Sequence, residues 1–130
     1  IAAQLYREDP NFYRSTMVAR GGAGQGFRFD GAVREPRMRF WRRMIEAAVR
    51  EGCLRPETDA AAVGVLLVQI AGGALMDWAS DAISVDQLEI ETSFGFAVVL
   101  SSFAARTAQG RLKRRMADLE RAIGAYARAA

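Results

Sequence analysis

The sequence predicts an all-α fold, a helical bundle built by one domain that spans residues 1–130. Glycine and proline divide the chain into segments with helical periodicity, and no stretch keeps the two-residue alternation of a half-buried strand. The chain has 130 residues, of which 51% are apolar and 25% charged. A chain of this length and composition buries enough surface to form its own hydrophobic core.

Composition excludes several kinds of active site. The chain has no histidine and a single cysteine, Cys53. It therefore cannot supply a Ser-His-Asp triad, an imidazole zinc site or an intrachain disulfide. We predict no metal, no cofactor and no catalytic residues. One unpaired cysteine and no recognisable signal peptide favour a cytoplasmic protein.

The charge and hydropathy patterns bear on the partners of the chain. A formal net charge of +3 is too small to indicate nucleic-acid binding by itself. The longest apolar stretch, residues 60–76, is interrupted by Gln69 and glycines. It is short for a membrane span, so we predict a doubly buried helix and no membrane partner.

Helical segments follow one another from the first residue. Residues 1–8 are predicted to end one helix. Asp9 and Pro10 open the next, because aspartate is a good N-cap and proline fits the first helical position. Residues 21–31 form a glycine-rich loop. A phosphate-binding loop would need a preceding strand and a following lysine, so we predict a flexible connection that is the least ordered internal stretch.

The third helix is predicted to open at Pro36 and to run to Glu51, with Gly52 as its C′ residue. Its apolar positions form one stripe, and most of its arginines lie off that stripe. These arginines are either a solvated face or an anion contact with a ligand or partner domain; they are Arg37, Arg39, Arg42, Arg43 and Arg50.

Two long helices come next. Thr58 or Asp59 is predicted to cap a helix that ends near residue 79. Ser84 and Gln87 form a capping box for a helix that runs to about residue 108. A break is predicted at Gly110.

A last amphipathic helix follows, and we predict that its apolar seam docks on its own domain or on a partner subunit. We also predict that Arg114 and Arg121 of this helix remain solvated. The seam consists of Leu112, Met116, Leu119, Ile123 and Tyr126.

The helices at 59–79 and 84–105 are apolar on nearly all sides. A surface helix of a monomer has one apolar stripe and one polar face. We therefore predict that a second copy covers the remaining stripe, in an isologous four-helix interface. The alternative is a monomer whose other helices cover both stripes. The candidate interface residues are Val63, Leu67, Ile70, Leu75, Phe96, Val99, Leu100 and Phe103.

The order of these parts resembles a known family. Asp-Pro-Asn-Phe-Tyr opens one helix at residues 9–13. A basic helix closes on Glu-Ala-Ala-Val-Arg-Glu-Gly-Cys-Leu-Arg-Pro at residues 46–56. An apolar helix contains Gly-Gly-Ala-Leu-Met-Asp-Trp at residues 72–78. Together these features, over about residues 9–105, resemble the C-terminal effector-binding and dimerisation domain of TetR-type transcriptional repressors.

The resemblance implies a regulatory domain that homodimerises and binds a small apolar effector. Nothing in the chain matches the helix-turn-helix pattern of the family, so operator DNA would be bound only through an N-terminal domain absent from this chain. The effector would shift the dimer between two arrangements with different operator affinity. The candidate ligand-binding residues that the resemblance implies are Phe12, Tyr13, Met17, Phe40, Trp41, Met44, Gln69, Gly73, Met76 and Trp78.

The same residues allow one alternative function and disfavour another. Aromatic and methionine side chains line ligand pockets but fill ordinary cores equally well. A helical interaction module without a small-molecule ligand is therefore the alternative hypothesis. An enzyme is disfavoured, because Glu89 and Glu91 are too close in sequence to share a helix face. Cys53 follows a helix C-terminus, where the helix dipole disfavours a thiolate.

Overall fold

Six helices account for nearly all of the part of the chain that the structure describes. The structure is a computed structural model, which describes the backbone of residues 2–21 and 31–128 and the side chains of residues 4–16 and 35–128. No strand occurs among these residues, which confirms the predicted all-α class. The helices are α1 (Ala2–Glu8), α2 (Pro10–Gly21), α3 (Gly31–Arg50), α4 (Ala60–Ala79), α5 (Val85–Phe103) and α6 (Arg106–Ala127).

The first two helices meet at the predicted cap. The carboxylate of Asp9 accepts a hydrogen bond from the amide of Phe12 at 3.1 Å, and Pro10 is the first residue of α2. The glycine-rich loop was predicted at residues 21–31. Residues 22–30 of it, and with them the predicted flexibility, lie outside the described residues.

Helix α3 begins earlier than predicted. Pro36 lies inside it, in the second turn, and does not open it. A proline there removes only one intrahelical hydrogen bond near the helix start, so the helix can extend back to Gly31. The predicted end is confirmed: Gly52 has φ +72°, and the amide of Cys53 donates to the carbonyl of Ala48 at 2.9 Å.

The caps of α4 and α5 are those that the sequence predicts. The side chain of Asp59 accepts from the amides of Ala61 and Ala62. Ser84 and Gln87 form a reciprocal capping box at the start of α5. These side chains satisfy amides that have no partner within their helix, and so set where each helix starts.

The boundary between α5 and α6 corrects the sequence-based prediction. Helix α5 ends at Phe103 rather than near residue 108, and Gly110 lies inside α6. The cause is a backbone pairing across the fold. The amide of Arg55 donates to the carbonyl of Phe103 at 2.9 Å, and the amide of Ala105 donates to that of Cys53 at 3.0 Å. Tertiary hydrogen bonds therefore end α5 where no glycine or proline stands.

The core has two parts, and α4 contributes to both. One part lies around Trp78 and includes Leu75 and Leu88. The other lies around Leu67 and includes Ile45 and, from the loop after α3, Leu54. By length and mean hydropathy, 1.7, α4 could cross a membrane. Central helices of water-soluble proteins meet the same two criteria, and one side of α4 is buried in this core.

Helix α6 packs on α5, as predicted for its apolar seam. Leu119 is buried, the side chain of Ser101 lies 4.0 Å from the sulfur of Met116, and the Tyr126 hydroxyl donates to Glu91 at 3.2 Å. Arg114 and Arg121 are exposed, also as predicted. The seam is thus covered by its own chain.

Candidate functional site

A cavity of about 420 Å³ lies between α1, α3, α4 and α5 and is open to solvent on one side. Its volume is in the range of small-molecule sites. Apolar, aromatic and polar side chains all contribute to its wall. The lining residues are Tyr6, Arg37, Trp41, Ala71, Leu75, Leu88, Glu89, Thr92, Ser93 and Phe96.

Aromatic rings form much of the cavity wall. Trp41 meets Phe96 edge-to-face with ring centroids 5.1 Å apart, and Tyr6 stacks on the buried Trp78 at 5.0 Å. Trp41 packs beside Gly64 of α4. A Cβ at Gly64 would lie 3.6 Å from the Trp41 Cβ. Four helices therefore hold these rings in place before any ligand enters.

An ion-pair cluster joins α1 to α5 at the edge of the cavity. Nη2 of Arg7 lies 2.6 Å from a carboxylate oxygen of Asp86 and 2.9 Å from one of Glu89. These hydrogen bonds raise the pKa of Arg7. Glu89 also lines the cavity, whereas Arg7 does not. Part of the negative charge of Glu89 is therefore offset by a residue outside the cavity wall.

The electrostatic surroundings of Tyr6 show where positive charge lies in the cavity. Burial raises the pKa of the Tyr6 hydroxyl, and the positive charge of Arg37 partly opposes that rise. Arg37 is thus close enough to Tyr6 to act on its ionisation. The wall of the cavity combines aromatic rings with the charged side chains of Arg37 and Glu89 and with two hydroxyl groups.

The ten predicted ligand-binding residues are not gathered in one place. Trp41 lines the cavity. Tyr13 and Trp78 belong to the aromatic cluster behind Tyr6. Phe12 is 60% exposed, with its ring edge-to-face on Tyr13. The side chain of Met17 lies outside the described residues.

The remaining predicted ligand residues lie on α3 and α4. Phe40 is 56% and Met44 52% exposed on α3. Gln69 and Gly73 are exposed on α4, and Met76 is half-buried. None of these five lines the cavity.

The cavity also contains residues that sequence analysis did not single out. Tyr6 lies in a short helix whose pattern carries no signal. Thr92 and Ser93 stand among apolar residues of α5. Besides Trp41, the sequence pointed to Arg37, as one of the arginines of α3 that could contact an anion.

A second feature is the side of α4 and α5 that faces away from the core; we call it the outer face. On α4 its residues recur at spacings of four, three and four and are all exposed: Ala62, Leu66, Gln69 and Gly73. On α5 the same spacing relates Glu91, Gly95, Val98 and Ser102, of which the last two are exposed.

The outer face includes a close contact between the two helices. A Cβ at Gly95 would lie 2.6 Å from Cγ2 of Ile70, so a larger residue there would force the Ile70 side chain to move. Leu66 is 47% and Val98 40% exposed. Large apolar side chains therefore point to solvent on both sides of the Ile70–Gly95 contact.

Most predicted interface residues lie inside the chain. Val63 and Leu67 are each 1% and Leu75 6% exposed. Four more pack against the Leu67 part of the core: Phe96, Val99, Leu100 and Phe103. Of the predicted set, Ile70 alone lies at the outer face. Both stripes of an all-apolar helix look alike in the sequence, so the pattern could not distinguish Leu66 from Leu67.

The comparisons with known proteins identify no relative. No family model matches the chain, and no curated protein and no solved structure is significantly similar to it. The cavity and the outer face are therefore the two features from which a function can be inferred.

Proposed function

We propose that the chain is the regulatory domain of a TetR-type transcriptional regulator of the cytoplasm. In this proposal it homodimerises through the outer face and binds a small, mainly apolar effector in the cavity. Operator DNA is bound by an N-terminal helix-turn-helix domain of the full-length regulator, and the effector changes the affinity of that domain for DNA.

One observation carries the proposal: α4 and α5 each have one side that lines the cavity and another side that belongs to the outer face. Their inner sides contribute Leu75 and Phe96 to the cavity, and their outer sides expose Leu66 and Val98. A ligand that moves either helix therefore acts on the outer face directly. The same pair of helices can then link effector binding to the arrangement of two subunits.

The dimer is tested by sedimentation velocity at micromolar concentration. Wild type is expected to sediment as a dimer, and Leu66→Asp and Val98→Asp as monomers with unchanged helix content. The matched control is Leu5→Asp, which places the same charge at an apolar residue on α1 that is 43% exposed. A wild-type monomer, or a Leu5→Asp variant that dissociates as readily, would refute the proposed interface.

The effector site is tested with N-phenyl-1-naphthylamine, a neutral apolar dye that fluoresces on leaving water. Wild type is expected to bind it, and Ala71→Phe, which fills the cavity, to lose binding. Ala61→Phe adds the same ring at an exposed position of α4 and should bind like wild type. A dimer that binds no dye would favour the interaction module without a ligand.

A further inference from the structure

We propose that the ligand of the cavity is an organic anion: an apolar ring system with one carboxylate-type group, which Arg37 binds. The inference rests on the proposed function, since it takes the cavity to be the effector site. It adds a charge and a recognition residue that an apolar effector alone does not require.

Arg37 differs in position from the neighbouring arginines of its helix. The neighbouring arginines of α3, Arg39, Arg42 and Arg43, are exposed, whereas Arg37 is half-buried and lines the cavity beside Trp41. Its charge acts on the Tyr6 hydroxyl. Arg37 is thus half-buried next to aromatic rings, and charge-assisted hydrogen bonds are strong in such surroundings.

The second step is the sign of the charge that the cavity can accept. Glu89 is the acidic residue of the lining, and its carboxylate already accepts a hydrogen bond from Arg7 at 2.9 Å. A cationic ligand would compete with Arg7 and approach Arg37. An anionic ligand leaves the Arg7–Glu89 pair intact, and because a guanidinium carries five N–H donors, Arg37 can bind an anion besides the contacts it makes within the chain.

The third step is the mixed chemistry of the wall, which combines aromatic rings with polar side chains. Trp41 and Phe96 offer ring faces and edges to an apolar body. Thr92 and Ser93 add hydroxyl donors on the α5 side. A planar carboxylate suits the fork of the guanidinium, and a flat ring suits the aromatic wall. The arrangement favours a ring-bearing carboxylate over a neutral hydrocarbon.

The test uses a pair of probes that differ only in charge: 2-naphthoate and 2-naphthamide, titrated at pH 7.5 by calorimetry. Wild type is expected to bind the carboxylate at least about tenfold more tightly than the amide. Arg37→Gln should abolish this preference and still bind the amide. Arg37→Lys should keep part of it, because charge remains and the fork is lost. Arg39→Gln, which removes an exposed charge from the same helix, should leave both affinities unchanged.

Each other outcome is decisive. Equal binding of both probes by wild type, or tighter binding of 2-naphthylmethylammonium, overturns the anion inference and leaves an apolar effector site in place. A carboxylate preference that survives Arg37→Gln assigns the recognition to another residue and also overturns it. If wild type binds none of the three probes or the neutral dye, the effector site fails and the inference with it. Should Arg37→Gln not fold, the wild-type preference and Arg37→Lys decide.

Discussion

Two helices end on a residue in the left-handed region, and only one of these residues is glycine. Gly52 has φ +72° and Asp81 has φ 62°. After Asp81, the amide of Ala82 donates to the carbonyl of Asp77 at 2.9 Å, which closes α4 in the same way that Cys53 closes α3. Sequence analysis found the first end from its glycine. The second carried no such signal, because an aspartate rarely takes this conformation.

The left-handed backbone at Gly52 makes a prediction that contrasts two glycines. Gly52→Ala should lower the free energy of unfolding by about 1–2 kcal/mol, since a Cβ is strained there although nothing lies within 4 Å of it. Gly110→Ala, inside α6, should raise it by about 0.5–1 kcal/mol through helix propensity. Urea denaturation measures both. Shifts of the same sign would contradict the assignment of these two backbone conformations.

Tyr126 is expected to titrate late. Burial, the negative charge of Glu91 and the hydrogen bond to it raise the pKa of Tyr126 from 10.0 to about 12. Below pH 10 both the folded and unfolded chains hold the proton; between pH 10 and 12 the unfolded chain releases it first, so stability falls with rising pH. In Tyr126→Phe this loss of stability should be smaller.

Ultraviolet titration of the tyrosines provides the direct measurement for Tyr126. The step near pH 12 should disappear in Tyr126→Phe and move to lower pH in Glu91→Gln. A Glu91→Gln spectrum that is identical to that of wild type would show that Glu91 does not act on this hydroxyl.

At the scale of helices, the sequence predicts starts better than ends. Asp59 and Ser84 act through neighbours two or three residues away, so a short pattern is enough to recognise them. The end of α5 depends on Cys53 and Arg55, which are distant in sequence. No local pattern near Ala104 reveals this pairing, and the glycine that the sequence offers as a break, Gly110, lies inside α6.

Removal of α6 should destabilise the chain. Truncation after Gln109 is expected to lower the melting temperature by several degrees, because loss of the apolar seam of α6 would expose the side of α5 that it covers. Leu119→Ala tests the same contact without truncation. Leu119 is 6% exposed, and loss of a buried leucine costs about 2–5 kcal/mol. Glu120→Ala, at the exposed neighbour, should change little. Equal effects of the two substitutions would mean that the seam is not buried.

For the whole molecule, the sequence predicts that α4 and α5 are central but not which of their sides faces inward. The core takes Val63 and Leu67, and the outer face takes Leu66. That choice depends on where α3 and α6 pack, which is a property of the assembled fold. For the same reason the sequence could not distinguish the side chains that line the cavity: of the candidate ligand-binding residues whose side chains the structure describes, Trp41 alone lines it.

Dimerisation through the outer face would make thermal stability depend on protein concentration. Association stabilises the folded chain by mass action, so the melting temperature of wild type should rise with each tenfold increase in concentration. Leu66→Asp should melt at a temperature that does not change with concentration. Scanning calorimetry at several concentrations measures this. A concentration-independent wild type would contradict the proposal.

The pairing of residues 53–55 with residues 103–105 closes a loop that contains both α4 and α5. Leu54 and Ala104, which form an isolated bridge, are 4% and 1% exposed. The amides of Arg55 and Ala105 lie outside every helix, yet each is held by a backbone hydrogen bond at this closure. They can exchange with deuterium only when the two-helix unit separates at its base. These two amides should therefore exchange as slowly as those at the centre of α4, and their common rate reports the cooperative opening of the unit.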